Sequence, residues 1–248
     1  MINVGFVILK SRIAVGKPAF TLIEVLVVAA MVALLVAILI PSLARARMQA
    51  RIVQVHSDLR QITLALDAYV MNNKDKLPPT RVGCETNVNY QLPVELARKR
   101  YLARRASRVP QADYRDVFNP EHTYKYRAPG AIYYNVTSEN SAPYDFPDPD
   151  DSWRPRAKIW VPDDFPCCRS EQGRYYHNRT GEPESPVTYA VWSIGPDPKS
   201  PKFPRDQQDG SVDESRFPVP QQFWLMHAGD TGLITHFRGR TGLMYASR

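Results

Sequence analysis

From Leu22 to Ile40 the chain reads LIEVLVVAAMVALLVAILI, nineteen residues in which the only polar side chain is Glu24. As a helix rising about 1.5 Å per residue, this stretch is roughly 28 Å long, close to the hydrocarbon thickness of a bilayer. Interior helices of soluble domains are usually shorter and rarely apolar on every face. The run therefore predicts a membrane span. No second run approaches its length, so the chain crosses at most once. The 248 residues leave room for one further domain or two small ones. A charged content of 23% and an aromatic content of 10% are too ordinary for a disordered chain, and 12 glycines are too few for a collagen.

The segment before the run, MINVGFVILKSRIAVGKPA, carries Lys10, Arg12 and Lys17 and no acid. A basic stretch ahead of an apolar one is also how a secretory signal peptide begins. The apolar run is too long for the core of such a peptide, and Pro41–Ala46 returns at once to helical, basic sequence. Arg45, Arg47 and Arg51 balance the three cations on the other side. The positive-inside rule is therefore close to a tie, and charge alone leaves the orientation open.

The front edge of the run carries more information. Lys17-Pro18-Ala19-Phe20-Thr21-Leu22-Ile23-Glu24-Val25-Leu26 resembles the type III signal sequence of prepilins and of the pseudopilins of type II secretion systems. The resemblance covers roughly residues 17 to 45. It implies that a basic leader, residues 1–19, stays in the cytoplasm and that a prepilin peptidase cuts between Ala19 and Phe20. Phe20 then becomes the N-methylated first residue, Thr21 the second and Glu24 the fifth. Pro41 falls at mature position twenty-two, where family members often carry a helix-loosening proline. The family's usual residue before the cut is Gly, and here it is Ala19, the next smallest side chain.

An ionised carboxylate in the apolar zone costs a few kcal/mol at mid-membrane and less near the edge. Glu24 lies four residues, about 6 Å along a helix, from Phe20, so snorkelling to the interface is one sufficient explanation. The resemblance implies another: Glu24 pairs with the charged amino terminus of a neighbouring subunit and sets the axial register of a filament.

The helical pattern continues past the membrane. Ile52, Val55, Leu59, Ile62, Leu66 and Tyr69 follow at spacings of three and four, an apolar stripe on one face, with Arg51, Gln54, Asp58, Arg60, Gln61 and Asp67 at the other positions. Fewer than three full heptads is short for a coiled coil, which favours docking onto a sheet of the same chain. Asn72 to Pro79 ends the helix with poor helix formers and two prolines. Pro41, inside this pattern, predicts a kink or loosened turn near Ile38–Pro41, either as a break at the membrane boundary or as a place where the helix stretches on assembly.

Twenty of the 22 prolines fall between Pro78 and Pro220, which favours loops and short edge strands. One short helix is expected over Pro93–Arg105. Its cations Arg98, Lys99, Arg100, Arg104 and Arg105, with Arg108, form a patch that nucleic acid would recognise by counterion release. A solvated helix face is the commoner meaning, and nucleic acid is disfavoured as a partner. Val187–Ile194, Phe223–His227 and Gly232–Phe237 read as antiparallel strands, with Gly229-Asp230-Thr231-Gly232 as a turn. The expected fold is α+β: a long N-terminal helix, transmembrane over 20–41 and amphipathic over 42–73, packed on a small antiparallel sheet within a Pro-rich domain over 74–248. The resemblance implies the same pilin-like architecture.

Tyr189 to Asp197 looks like the Tyr-x-x-x-Ser-x-Gly-x-Asp stretch of major-type pseudopilins, whose following loop can hold calcium. Asp197, Asp206, Asp209 and Asp213 are the candidate ligands here, because Ca²⁺ takes six to eight oxygen ligands. Their spacing is not that of an EF-hand, and acidic turns are common without metal. No other cofactor is called for. Cys84, Cys167 and Cys168 make an odd count, so Cys84 could pair with either neighbour in an oxidising compartment. His56, His122, His177, His227 and His236 show no triad or metalloprotease spacing, and His227 and His236 are placed as neighbours across the last hairpin. Asn135-Val-Thr and Asn178-Arg-Thr match the glycosylation pattern weakly.

These features point to a non-enzymatic subunit of a pseudopilus or related pilus-like filament. Its expected location is a bacterial inner membrane, with the globular domain in the periplasm and other pseudopilins as partners. The rival reading is a signal-anchored periplasmic enzyme or carbohydrate-binding protein that uses Trp153, Trp160 and Trp192 as stacking platforms.

Overall fold

A computed structural model describes residues 21–78, 80–82, 92–102, 114–130, 132–134, 157–208, 210–227 and 229–247. The basic leader, Ala19, Phe20, Cys84, Asp209 and Trp153 lie outside these residues. The chain divides into two compact units, residues 1–44 and residues 45–248. One helix, α1 (Leu22–Asn72), contributes to both.

In the first unit, the described residues are Thr21 and the beginning of α1. Every side chain from Leu22 to Ile40 is exposed, and this is the one described helix long and apolar enough to cross a membrane. The α1 helix runs unbroken through Pro41.

In the second unit, α1 from Arg45 onward has one buried face. Ile52, Val55, Leu59, Ile62, Leu66 and Tyr69, the whole of the expected stripe, are buried there. The helix ends in a Schellman-type turn: Lys74 and Asp75 take positive φ, and the Asp75 amide donates to the Val70 carbonyl over 3.1 Å.

The stripe packs on a four-stranded antiparallel sheet built from β2 (Lys125–Arg127), β6 (Val187–Ser193), β7 (Ile234–Gly239) and β8 (Met244–Ala246), hydrogen-bonded in that order. Tyr126, Tyr189, Val191 and Ile234 supply its helix-facing core. The opposite face carries Ala190, Trp192 and Phe237, covered by Ile159 and Val161 and by Phe203, Phe217, Phe223 and Trp224. A register irregularity between Val187 and Tyr189 interrupts the pleat. Strict alternation would place Val187 with Tyr189 and Val191, yet it packs in the opposite layer, which is the outcome a bulge produces.

Ile159 and Val161 belong to β4 (Ile159–Pro162), which forms an antiparallel pair with β5 (Gly173–Tyr176). A two-stranded parallel pair joins β1 (Thr80–Val82) to β3 (Ile132–Tyr134). The short helix α2 is confined to Val94–Arg98, well inside the expected Pro93–Arg105, because Arg100 takes positive φ and the Tyr101 amide closes a 2.9 Å bond back to Leu96.

Of the three expected strands, one is absent. Val187–Ser193 and Ile234–Gly239 pair as antiparallel neighbours, but Phe223–His227 forms no strand. Pro218 and Pro220 lead instead into a 3₁₀ turn at Gln221–Phe223, followed by a single bridge from Trp224 to Leu233. The true partner of β7 on that side is β8, reached by a turn at Arg240–Leu243 rather than at Gly229–Gly232. Gly232 has a different task. Its φ is +141°, and a Cβ there would sit 2.7 Å from the Phe223 carbonyl oxygen.

Candidate functional site

At the start of α1, Thr21 and Glu24 form a reciprocal cap. The Glu24 carboxylate accepts from the Thr21 backbone N–H at 2.9 Å and from the Thr21 hydroxyl at 2.8 Å, while the Glu24 N–H donates back to that hydroxyl at 3.3 Å. This is a capping box, which satisfies orphan amides of the first turn. Both bonds to the carboxylate end on Oε2. The T-x-x-E spacing that forms the box stands in the sequence, beside the snorkelling and subunit pairing expected of Glu24.

Where α1 docks, polar contacts cross the apolar seam. The His56 Nδ1 lies 3.0 Å from the His236 Nε2. The Tyr124 hydroxyl donates to Asp58 at 3.0 Å, and the Tyr189 hydroxyl donates to Asp67 at 3.1 Å. Arg238 adds an ion pair to Asp67. Asp58 and Asp67 were expected on the polar side of the helix. Asp58 is buried and Asp67 half-buried, because the docked face is broader than the apolar stripe and the sheet presents tyrosine hydroxyls at its margins. Burial, reinforced by the neighbouring Asp58 and Asp67 respectively, pushes the phenols of Tyr124 and Tyr189 well above their ordinary value. Both therefore remain donors.

His236 thus faces His56 across the helix–sheet seam, not His227 across a hairpin. Ile234, His236 and Arg238 alternate onto the helix-facing side of β7, and His227 lies in the segment that was wrongly expected to be a strand. Desolvation lowers the pKa of both paired imidazoles, that of His236 to about 4 with further opposition from His56 and Arg60.

Each residue of the Tyr-x-x-x-Ser-x-Gly-x-Asp stretch has a local role. Tyr189 reaches Asp67. The Ser193 hydroxyl accepts from the Gly195 amide at 2.9 Å and also bonds to buried Asp116, whose pKa burial raises. Gly195, at φ +80°, permits an approach in which an added Cβ would stand 2.0 Å from the Gly232 carbonyl oxygen. Asp197 closes a turn by accepting from the Lys199 amide at 3.0 Å.

The other described calcium candidates are similarly engaged. Asp206 accepts from the Gln208 amide at 2.7 Å, and Asp213 caps the 3₁₀ turn Glu214–Arg216 through the Ser215 amide at 2.9 Å. Among the described residues, no three His, Cys, Asp or Glu side chains gather into a group that could hold a metal ion.

Cys167 and Cys168 are free thiols; Cys167 is exposed, and burial pushes buried Cys168 up to about 12. Of the basic patch, Lys99 is exposed but spoken for: it hydrogen-bonds Asn73 and lies over the Tyr69 ring, 5.0 Å from its centroid. Arg100 is exposed, and Arg104, Arg105 and Arg108 lie outside the described residues. Trp160 and Trp192 are buried, so neither offers an open stacking face for a sugar. Asn178 carries its side chain against its own chain, accepting from the Ser185 amide at 2.9 Å, and Asn135 lies outside the described residues.

Comparison with protein-family models, with curated proteins and with solved structures finds no match.

Proposed function

We propose that this protein is a structural subunit of a type II secretion pseudopilus or a related pilus-like filament, processed by a prepilin peptidase and assembled through its N-terminal helix. The carrying observation is Lys17–Leu26, in which Ala19-Phe20, Thr21 and Glu24 stand in the order and spacing of a prepilin-type processing site at the edge of the long apolar helix. The continuation of α1 into a stripe that docks on an antiparallel sheet supports the same reading.

In this proposal the capping box prepares Glu24 for assembly. Cleavage between Ala19 and Phe20 leaves the Thr21 amide in place, so the cap survives processing. Oε2 stays committed to Thr21 while Oε1 is free of those two bonds and meets the amine of Phe20 on the next subunit. A charge that is unfavourable alone in lipid becomes tolerable when paired. The globular unit faces the periplasm, and the protein works as a scaffold rather than a catalyst.

The test is co-expression of Glu24→Ala with the wild-type chain, with cysteine crosslinking along the apolar helix as the measure of assembly. The proposal expects the variant to insert in the membrane and fail to enter crosslinked oligomers. Oligomers containing the variant at wild-type yield would contradict it.

A further inference from the structure

Where the N-terminal end of the docked part of α1 meets β7, two imidazoles make the polar contact. Their centroids are 5.3 Å apart and their planes tilted by 37°. Two ring nitrogens at 3.0 Å can share one proton, because a neutral ring supplies either a donor or an acceptor and a protonated ring supplies donors only. A second proton would set two N–H groups, each on a cation, against one another.

Among the described residues, the side chains set against the two rings are apolar, cationic or engaged elsewhere. Along α1, the residues one turn from His56 are Ile52, Val53, Leu59 and Arg60. On the same side of β7, His236 is flanked by Ile234 and by Arg238, whose charge is met by Asp67. In the neighbouring strands it stands opposite Val191 and Ala246. Asp58 is directed to Tyr124. Beside His56 opens a cavity of about 530 Å³, lined by Ile52, Val53 and His56 from the helix and by Leu225, Met226 and His227 from the segment before β7.

We propose that the His56–His236 contact is an acid-sensitive latch, which on double protonation releases the N-terminal end of the docked helix segment from β7 and opens the apolar cavity. The Asp67 end, eleven residues or about 16 Å further along α1, stays held by Tyr189 and Arg238. The device is therefore polar along the helix, with one end loosening while the other anchors.

The sign follows from the two states. A released imidazole titrates near 6.5, whereas the docked rings titrate lower, His236 at about 4. The released form takes up more protons, so the latch is fully closed above about pH 6.5 and weakens as pH falls towards 4.

Hydrogen-exchange mass spectrometry on the full chain in detergent, at pH 7.5 and pH 5.0 and corrected for intrinsic exchange, reads this directly. Residues 49–57 and 223–227 are expected to lose protection by about tenfold or more at pH 5.0 relative to residues 62–70. His236→Gln and, separately, His56→Gln remove the second charge and are each expected to diminish that difference. An unchanged protection ratio between the two segments in the wild-type chain would overturn the latch, and this comparison needs no variant to fold. A pH-dependent loss that persists undiminished in both variants would overturn it as well.

Discussion

The Tyr189 hydroxyl, on β6 in the interior of the sheet, donates to the Asp67 carboxylate over 3.1 Å, and Arg238 on the neighbouring strand holds the same carboxylate. One helix side chain is thereby tied to two strands. Tyr189→Phe removes a donor while leaving Asp67 its arginine, and is expected to cost about 1 kcal/mol in denaturant unfolding. The Asp67–Arg238 pair is about one-third exposed, with side-chain accessibilities of 33% and 32%, so solvent screening keeps its coupling to about 1 kcal/mol or less in a double-mutant cycle.

The apolar stripe carries far more of the docking energy. Leu59 and Leu66 are fully buried, while Leu64 on the same helix is 62% exposed. Leu59→Ala and Leu66→Ala are each expected to cost about 2–5 kcal/mol, and Leu64→Ala no more than about 0.5 kcal/mol. Urea unfolding of the three variants, followed by tyrosine and tryptophan fluorescence, measures the contrast.

Lys125 and Glu214 make an ion pair at 2.5 Å, each side chain only 7% accessible. It joins β2 to the 3₁₀ turn, and Arg127 next along the same strand region donates to the Glu214 and Phe217 carbonyls. Glu214→Gln strands a buried ammonium and is expected to destabilise by about 3–5 kcal/mol. Replacing both partners, as Lys125→Met with Glu214→Leu, should recover most of that loss, because paired charges repay little beyond their own desolvation. Calorimetric melting of the single and double variants separates these outcomes.

Gly195 and Gly210 both take positive φ, +80° and +71°, but only Gly195 faces backbone within van der Waals range. Gly210→Ala carries the left-handed strain alone, about 1–2 kcal/mol. Gly195→Ala adds a collision with the Gly232 carbonyl and should destabilise by several times more. Equal melting temperatures for the two variants would mean that the Gly195–Gly232 approach is not a structural requirement.

The apolar run and the stripe were legible because each repeats one chemical signal at the helical period over many residues. Six of six stripe positions are buried for that reason. The strands over Val187–Ser193 and Ile234–Gly239 were legible from β-branched and aromatic density. The segment Phe223–His227 has the same composition and is not a strand, because the neighbouring Pro218 and Pro220 and the close packing at Gly232 fix a tight turn. Long-range polar pairs were the least legible. Nothing local in His56 or Asp67 names His236 or Arg238 as its partner, since those contacts span 180 and 171 residues. The Thr21–Glu24 cap is local and could have been read from its three-residue spacing.

The bond between Ala19 and Phe20 decides the filament-subunit proposal, and mass spectrometry of the amino-terminal peptide from purified membranes tests it most directly. The expected peptide begins at Phe20 and carries one added methyl group on its α-amine. A chain that still begins at Met1, or one cut beyond Pro41, while the protein performs its normal role would contradict the filament-subunit proposal.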